Sequence, residues 1–256
     1  MKIKRIVKLK REMYDVLFDD GQSIKVHEES LVRYVLIPGK ELDESEFNEI
    51  VQNIQYDQAY VAAIKYISYK IRSVKEMFDY LNEDYEDDII RQTVYRLENE
   101  GYLNDENYAK ALRNTLLNTT DKGPGHLKRE LKKHDIKESV ILNETEAFDD
   151  LIDAERMNKL KDKFLRTHRG SYVQFKQKLR EKLTLRGYSG HHFEMIDFND
   201  DYDEDAYFEK DFEKYYNKYK KKESGFKLKQ KMIAALMGKG YAYEKISEKL
   251  GGMHDG

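Results

Sequence analysis

Apolar positions along this chain follow two different rhythms. In the first 55 residues the beat is short: Ile3, Ile6 and Leu9 alternate loosely with Lys2, Lys4, Arg5, Lys8, Lys10 and Arg11. The segments Met13 to Phe18 and Ser23 to Val26 then flank the turn signal Asp19-Asp20-Gly21, which predicts a small β-meander. Leu31, Tyr34 and Val35 take helical spacing, Pro38-Gly39 breaks the chain, and Asp43 with Glu46 forms a capping-box pattern that opens a further helix. Beyond that point Pro124 is the single proline, and the apolar beat lengthens to three and four residues. The remainder reads as mainly α.

The helical part is also periodic. Four times, two apolar residues four apart are followed by a closing Tyr or Ile: Met77/Leu81/Tyr85, Leu127/Leu131/Ile136, Leu179/Leu183/Tyr188 and Met232/Leu236/Tyr241, with first members 50, 52 and 53 residues apart. Gly187 and Gly240 stand directly before the closing aromatic, where a helix end commonly turns left-handed; Asp84 and Asp135 take that place in the first two units. A longer stripe precedes each set: Tyr60, Ile64, Ile67 and Ile71; Tyr108, Leu112 and Leu116; Met157, Leu160 and Phe164; Phe208, Phe212, Tyr215 and Tyr219. Helix-start signals lie between stripe and pair at Ser73 with Glu76, Gly123-Pro124-Gly125, Ser171 with Gln174, and Gly225, and a third helix follows, clearest at Ile89 to Leu97 and Tyr243 to Leu250. The expected organisation is a β-meander and helix over 1–55, then tandem three-helix repeats over 56–103, 104–150, 151–205 and 206–256, an elongated, curved array.

Composition agrees with thin modules. The chain of 256 residues is 37% charged and 39% hydrophobic, against about 25% charged in ordinary domains. Its 20 Tyr and 11 Phe argue against wholesale disorder. No apolar run approaches the roughly 20 residues that a membrane span requires, and the basic N-terminus lacks the apolar stretch of a signal peptide. With 0 Cys, thiolate catalysis and thiolate metal sites are excluded, which fits the cytoplasm.

Sequence motifs for catalysis are missing: no phosphate-binding GxxxxGK[ST], no GxSxG, no HExxH and no GxGxxG after a strand, so neither an enzyme nor a cofactor is expected. His191 and His192 are adjacent, but neighbours on a helix diverge by about 100° and no carboxylate stands at ligand-like spacing, so a solvated or capping role is expected and no metal. Asp201-Tyr202-Asp203-Glu204-Asp205 begins like a calcium loop but carries Ala206 and Phe212 where Gly and Glu are needed; it reads as an acidic connection.

Basic residues recur in a more telling way. Lys128, Arg129, Lys132 and Lys133 fall away from the Leu127/Leu131 stripe, Lys176 and Arg180 take the corresponding arc in the next repeat, and Lys227 and Lys229 open the equivalent helix of the last. Lys159 to Arg186 holds ten basic and two acidic residues. These eight side chains are the candidate partner-binding set. Phosphates or an acidic protein groove would both select such a surface. The net charge of -3, with acidic stretches at Glu83 to Asp88 and Asp197 to Asp211, favours a protein partner with nucleic acid nearby.

One stretch is specific enough to carry a resemblance. Gly101-Tyr102-Leu103-Asn104-Asp105-Glu106-Asn107-Tyr108-Ala109, followed by Lys122-Gly123-Pro124-Gly125-His126-Leu127-Lys128-Arg129-Glu130-Leu131-Lys132-Lys133-His134-Asp135-Ile136, resembles the central region of the RecX regulatory proteins, and Ala59 to Leu103 is similar to the same family. The likeness spans roughly residues 56–250, with Asp135 departing from the family's usual glycine. It implies a non-enzymatic cytoplasmic modulator of the RecA recombinase. Such a protein lies in the groove of the RecA nucleoprotein filament and most often inhibits recombinase, ATPase and coprotease activity in DNA repair and the SOS response. The alternative reading is a direct DNA binder that uses helix-turn-helix-like pairs on single- or double-stranded DNA.

Overall fold

The computed structural model describes residues 1–10, 13–199 and 201–252. Arg11 of the basic N-terminal set and Asp200 of the acidic connection lie outside the described residues. The short apolar rhythm produces β1 (Ile3–Lys8), β2 (Met13–Phe18) and β3 (Ser23–His27), an antiparallel sheet in the order β1-β2-β3. Alternation sends Ile3, Val16, Phe18 and Val26 into a core with Leu36, Leu42, Ile50 and Ile54, while Lys2, Lys4, Arg5 and Lys8 face solvent. Beyond Pro38-Gly39 the chain returns along β1: the Ile3 amide donates to Lys40 O at 2.9 Å and the Gly39 amide to Ile3 O at 2.8 Å. That return satisfies backbone groups which an edge strand would otherwise expose.

The helix expected from Leu31, Tyr34 and Val35 is shorter than that spacing suggests. α1 (Glu28–Arg33) ends with Val35 at φ +48° and 59% exposed, and the Leu36 amide reaches back to Leu31 O at 2.9 Å. This is a left-handed helix closure, and it turns Leu36 rather than Val35 into the core.

α2 (Glu44–Tyr69) opens on the predicted capping box, with the Glu46 amide donating to Asp43 Oδ1 at 2.8 Å. It runs unbroken through residue 55, so the expected division there falls inside one helix. Its first half buries Ile50 and Ile54 under the sheet. Its second half packs against α3 (Val74–Leu81) and α4 (Asp87–Asn99) through Ala59 and Ala63, both fully buried. Tyr60, Ile64 and Ile67 flank that contact half-buried, and Ile71 lies past the helix end, 45% exposed. The large side chains thus mark the rim, because the alanines permit the closest approach of the backbones.

Three further helix triplets follow: α5 (Asp105–Thr119), α6 (Pro124–Lys133) and α7 (Glu138–Asp149); α8 (Ala154–Leu165), α9 (Tyr172–Leu185) and α10 (Gly190–Glu194); α11 (Asp205–Tyr219), α12 (Gly225–Met237) and α13 (Tyr243–Gly251). The chain divides into two compact units, Met1–Ala111 with His134–Ile136, and Leu112–Lys133 with Lys137–Gly256. In every middle helix the predicted pair is buried to 1% exposure or less: Met77/Leu81, Leu127/Leu131, Leu179/Leu183 and Met232/Leu236. Truncating any one of these leucines to Ala costs about 2–5 kcal/mol, the usual range for a buried site. Gly187, Gly240 and Asp135 are left-handed at φ +95°, +85° and +53°. Asp84 is not: both its amide and that of Tyr85 donate to Leu81 O, at 3.1 and 3.0 Å. The turn from Leu81 to Tyr85 is one residue shorter than its counterparts, so it needs no left-handed residue.

The closing turns have a second use. Within the first compact unit, His134 Nδ1 lies 3.0 Å from Ser73 Oγ, the N-cap of α3, and its Nε2 lies 3.1 Å from the Tyr108 hydroxyl. Within the second, the Gly123 and Gly125 amides at the start of α6 donate to Arg186 O and Gly187 O at 2.8 and 2.9 Å. Ser171 Oγ, the N-cap of α9, donates to Lys239 O at 2.5 Å. Within the second unit, the end of one middle helix thus meets the first turn of the preceding middle helix both times. The closing carbonyls in the second unit thereby satisfy donors near helix starts, where backbone N–H groups have no partner within the helix.

Candidate partner-binding faces

The eight basic candidates all stand on middle helices, α6, α9 and α12, but their environments differ. On α6, Arg129, Lys132 and Lys133 are exposed and Lys128 is half-buried. Lys133 pairs with Glu130 at 2.8 Å and Lys132 approaches Glu138 at 3.6 Å. These are exposed pairs, which hold their charges weakly. The Arg129 guanidinium is committed elsewhere: it donates to Leu185 O at 3.2 Å, the last residue of α9. Arg129 is therefore partly a joint residue, a role that helical spacing does not reveal.

On α9, Lys176 sits over the Tyr172 and Phe198 rings, 4.6 and 5.0 Å from their centroids, and Arg180 lies 5.3 Å from the Phe193 centroid. Aromatic faces fix these cations in place while their charge stays at the surface. On α12, Lys227 is exposed and Lys229 half-buried. Among the described residues neither of them, nor Lys128, makes an ion pair. The local field is positive: His126, at the start of α6, is held below the ordinary imidazole range by burial and then by Lys122, with Arg129 and Lys133 adding to the effect against Glu130.

In the acidic connection before α11, Asp201 and Asp203 are exposed and Glu204 is half-buried. Glu204 accepts from the Tyr172 amide at 2.8 Å and, with Asp205, holds Lys245 at 3.5 and 2.5 Å. Tyr215, Tyr216 and Tyr219 pack half-buried against the core of Phe208, Phe212, Met232 and Leu236, as their helical spacing suggests.

Two groups escape the sequence. Arg156 on α8 donates to the carbonyls of Leu117, Thr120 and Lys122 at 2.7, 2.9 and 3.2 Å and to the Tyr188 hydroxyl at 3.1 Å. No motif announces this clamp, because three of its four acceptors are backbone. His191 and His192 do meet a carboxylate, Asp149 of α7, 42 and 43 residues away; it stands at no ligand-like sequence spacing, and the tertiary fold alone brings it near. The capping role expected of this pair is present, since the Ser189 amide donates to His192 Nδ1 at 3.1 Å.

Serial three-helix domains preceded in the chain by a small antiparallel sheet, with basic residues recurring on α6, α9 and α12, define the class of this protein. Within that class the assignment is specific. Residues 59–97 match RecX, first three-helix domain, and residues 203–250 match RecX, third three-helix domain. The chain is 32% identical to the regulatory protein RecX of Staphylococcus haemolyticus over 96% of its own length and 94% of the relative. It is 32% identical to that of Streptococcus agalactiae over 98% of both. A crystal structure of regulatory protein RecX superposes with a TM-score of 0.60 at 29% identity, covering 76% of this chain and 97% of that one. RecX from Lactobacillus salivarius gives 0.51 at 30% identity, over 55% and 92%. The chain belongs to the RecX family of regulatory proteins.

Proposed function

We propose that this protein is a non-catalytic cytoplasmic regulator that binds the RecA nucleoprotein filament and inhibits its recombinase, ATPase and coprotease activities, so limiting DNA repair by recombination and the SOS response. The observation that carries this reading is family membership across nearly the whole chain. The basic middle helices support it. In our division, four three-helix units at 56–103, 104–150, 151–205 and 206–256 each contribute a weak contact. Each engaged unit raises the effective concentration of the next, provided their spacing matches that of successive RecA protomers. Lys128, Lys132, Lys133, Lys176, Arg180, Lys227 and Lys229 are the proposed contact residues, with Arg129 divided between contact and joint.

The test adds the purified chain to preformed RecA filaments on single-stranded DNA and follows ATP hydrolysis and filament length. Both fall at concentrations comparable to RecA if the reading is right, and an unchanged filament refutes it. A parallel titration of bare DNA examines the other reading, direct DNA binding, favoured by the unpaired Lys227 and Lys229. That affinity would persist without RecA and fall steeply with salt.

A further inference from the structure

Among the described residues, three metal-ligating side chains from distant parts of the chain converge within the second compact unit: Asp149 at the end of α7, and His191 and His192 in α10. One ligand atom from each lies within 4.8 Å of the other two. Asp149 Oδ2 is 2.9 Å from His191 Nε2, and Oδ1 is 3.3 Å from His192 Nε2. The two imidazoles are stacked aslant with centroids 4.0 Å apart, so the divergence expected of helical neighbours is overcome by rotation of the rings. His192 is fully buried, yet its Nε2 makes no hydrogen bond, because the nearby carboxylate is not aligned to accept one.

We propose that Asp149, His191 and His192 form a binding site for a divalent transition-metal ion, zinc foremost, that ties α7 to α10. Two imidazoles and one carboxylate are a borderline donor set, suited to zinc, which imposes no geometry of its own. Zinc bonds of about 2.0 Å in a tetrahedron place neighbouring ligand atoms about 3.3 Å apart; the separations of 2.9 and 3.3 Å already present run to different oxygens of Asp149, so one oxygen turns toward both rings on binding. His191 is half exposed, so water reaches the fourth position.

The outer contacts fit as well. Ser189 Oγ lies 3.0 Å from His191 Nδ1 and 2.9 Å from His192 Nδ1. A metal-bound imidazole gives its other N–H to such a group, and a hydroxyl oxygen has two lone pairs to receive them. On binding, each neutral ring carries its single proton at Nδ1 and turns Nε2 to the metal; for His192 this is a change of tautomer, since its Nδ1 accepts from the Ser189 amide without the metal. The Ser189 amide, which donates to His192 Nδ1 in the metal-free arrangement, is on an exposed residue and passes to water. Because α7 and α10 close consecutive helix triplets, the ion would brace the same joint that Gly125 and Gly187 form.

The test uses the full chain, stripped with EDTA and dialysed, titrated with zinc chloride by calorimetry and with cobalt chloride by visible absorption. The expected result is one zinc per chain at a Kd of about 1 µM or tighter, a rise in melting temperature with zinc, and cobalt bands of a four- or five-coordinate site. His191→Ala, at an exposed ring, should weaken zinc binding at least about tenfold and abolish the cobalt bands with helix content retained. Asp149→Asn should do the same and serves if His191→Ala misfolds. No binding up to millimolar zinc overturns the proposal, and so does binding that both variants leave intact, since the other histidines would then be responsible. None of these readouts involves RecA, so the site stands or falls apart from the filament reading.

Discussion

The Gly125 amide donates to the carbonyl of Gly187 at 2.9 Å, and a β-carbon on Gly187 would stand 2.3 Å from the His126 nitrogen. Gly187 therefore meets two demands at once: φ of +95° for the helix closure and bare backbone for the contact with α6. Gly187→Ala should cost about 2–4 kcal/mol, combining left-handed strain with overlap that the backbone cannot relieve. Denaturant unfolding of the full chain checks the loss. The converse holds at the turn that closes α6, where Asp135 at φ +53° carries left-handed strain without a glycine; Asp135→Gly should stabilise by about 0.5–1 kcal/mol.

Arg156 should resist conservative replacement. Its planar group reaches three carbonyls and a hydroxyl, whereas a lysine ammonium is a single point of donation. Arg156→Lys is expected to lower stability by about 2 kcal/mol, read from the unfolding midpoint. A loss indistinguishable from zero contradicts the clamp.

Contact and joint functions separate on α6. Reversing Lys128, Lys132 and Lys133 to Glu should weaken binding to RecA filaments by about tenfold or more while changing stability by less than about 1 kcal/mol, because the pairs involved are exposed. Arg129→Ala should instead lower stability, by about 1 kcal/mol, through loss of its bond to Leu185 O. Equilibrium binding and thermal melts of the two variants, compared directly, check the division.

Acid should destabilise the fold before its carboxylates titrate. His126, His168 and His192 are all held below their ordinary value of 6.5, each chiefly by burial. The folded state keeps these rings neutral, while the unfolded chain takes up protons as pH falls through 6.5. Stability is therefore complete above that pH and declines as pH drops toward the lowered folded values. Melting temperatures measured from about pH 7.5 down to about pH 5.5 should fall steadily, with net proton uptake on unfolding; a flat profile refutes it.

Much of the architecture was already written in local patterns. Met77/Leu81 and its three counterparts mark the middle helices, since i and i+4 share a helix face and each pair became a buried core. Ser73, Ser171 and Asp43 mark helix starts, because a short side-chain acceptor three residues from an orphan amide is itself a local arrangement. On α2 the stripe of Tyr60, Ile64 and Ile67 does border the core, but the fully buried centre of the contact is Ala59 and Ala63, which size alone does not single out. The basic residues were legible as a recurring face, but their individual duties were not.

What the sequence by itself determined, then, is whatever depends on neighbours within a turn or two: the helices, their caps, the repeat, and the resemblance to RecX. Tertiary structure decided the rest, because it turns on pairs far apart in the chain. Arg129 finds Leu185 across 56 residues, Gly125 finds Gly187, Arg156 finds carbonyls more than thirty residues back, and Asp149 finds two histidines 42 and 43 positions ahead. No periodicity encodes such meetings. They exist because consecutive helix triplets in the second unit rest the end of one middle helix on the start of the one before it.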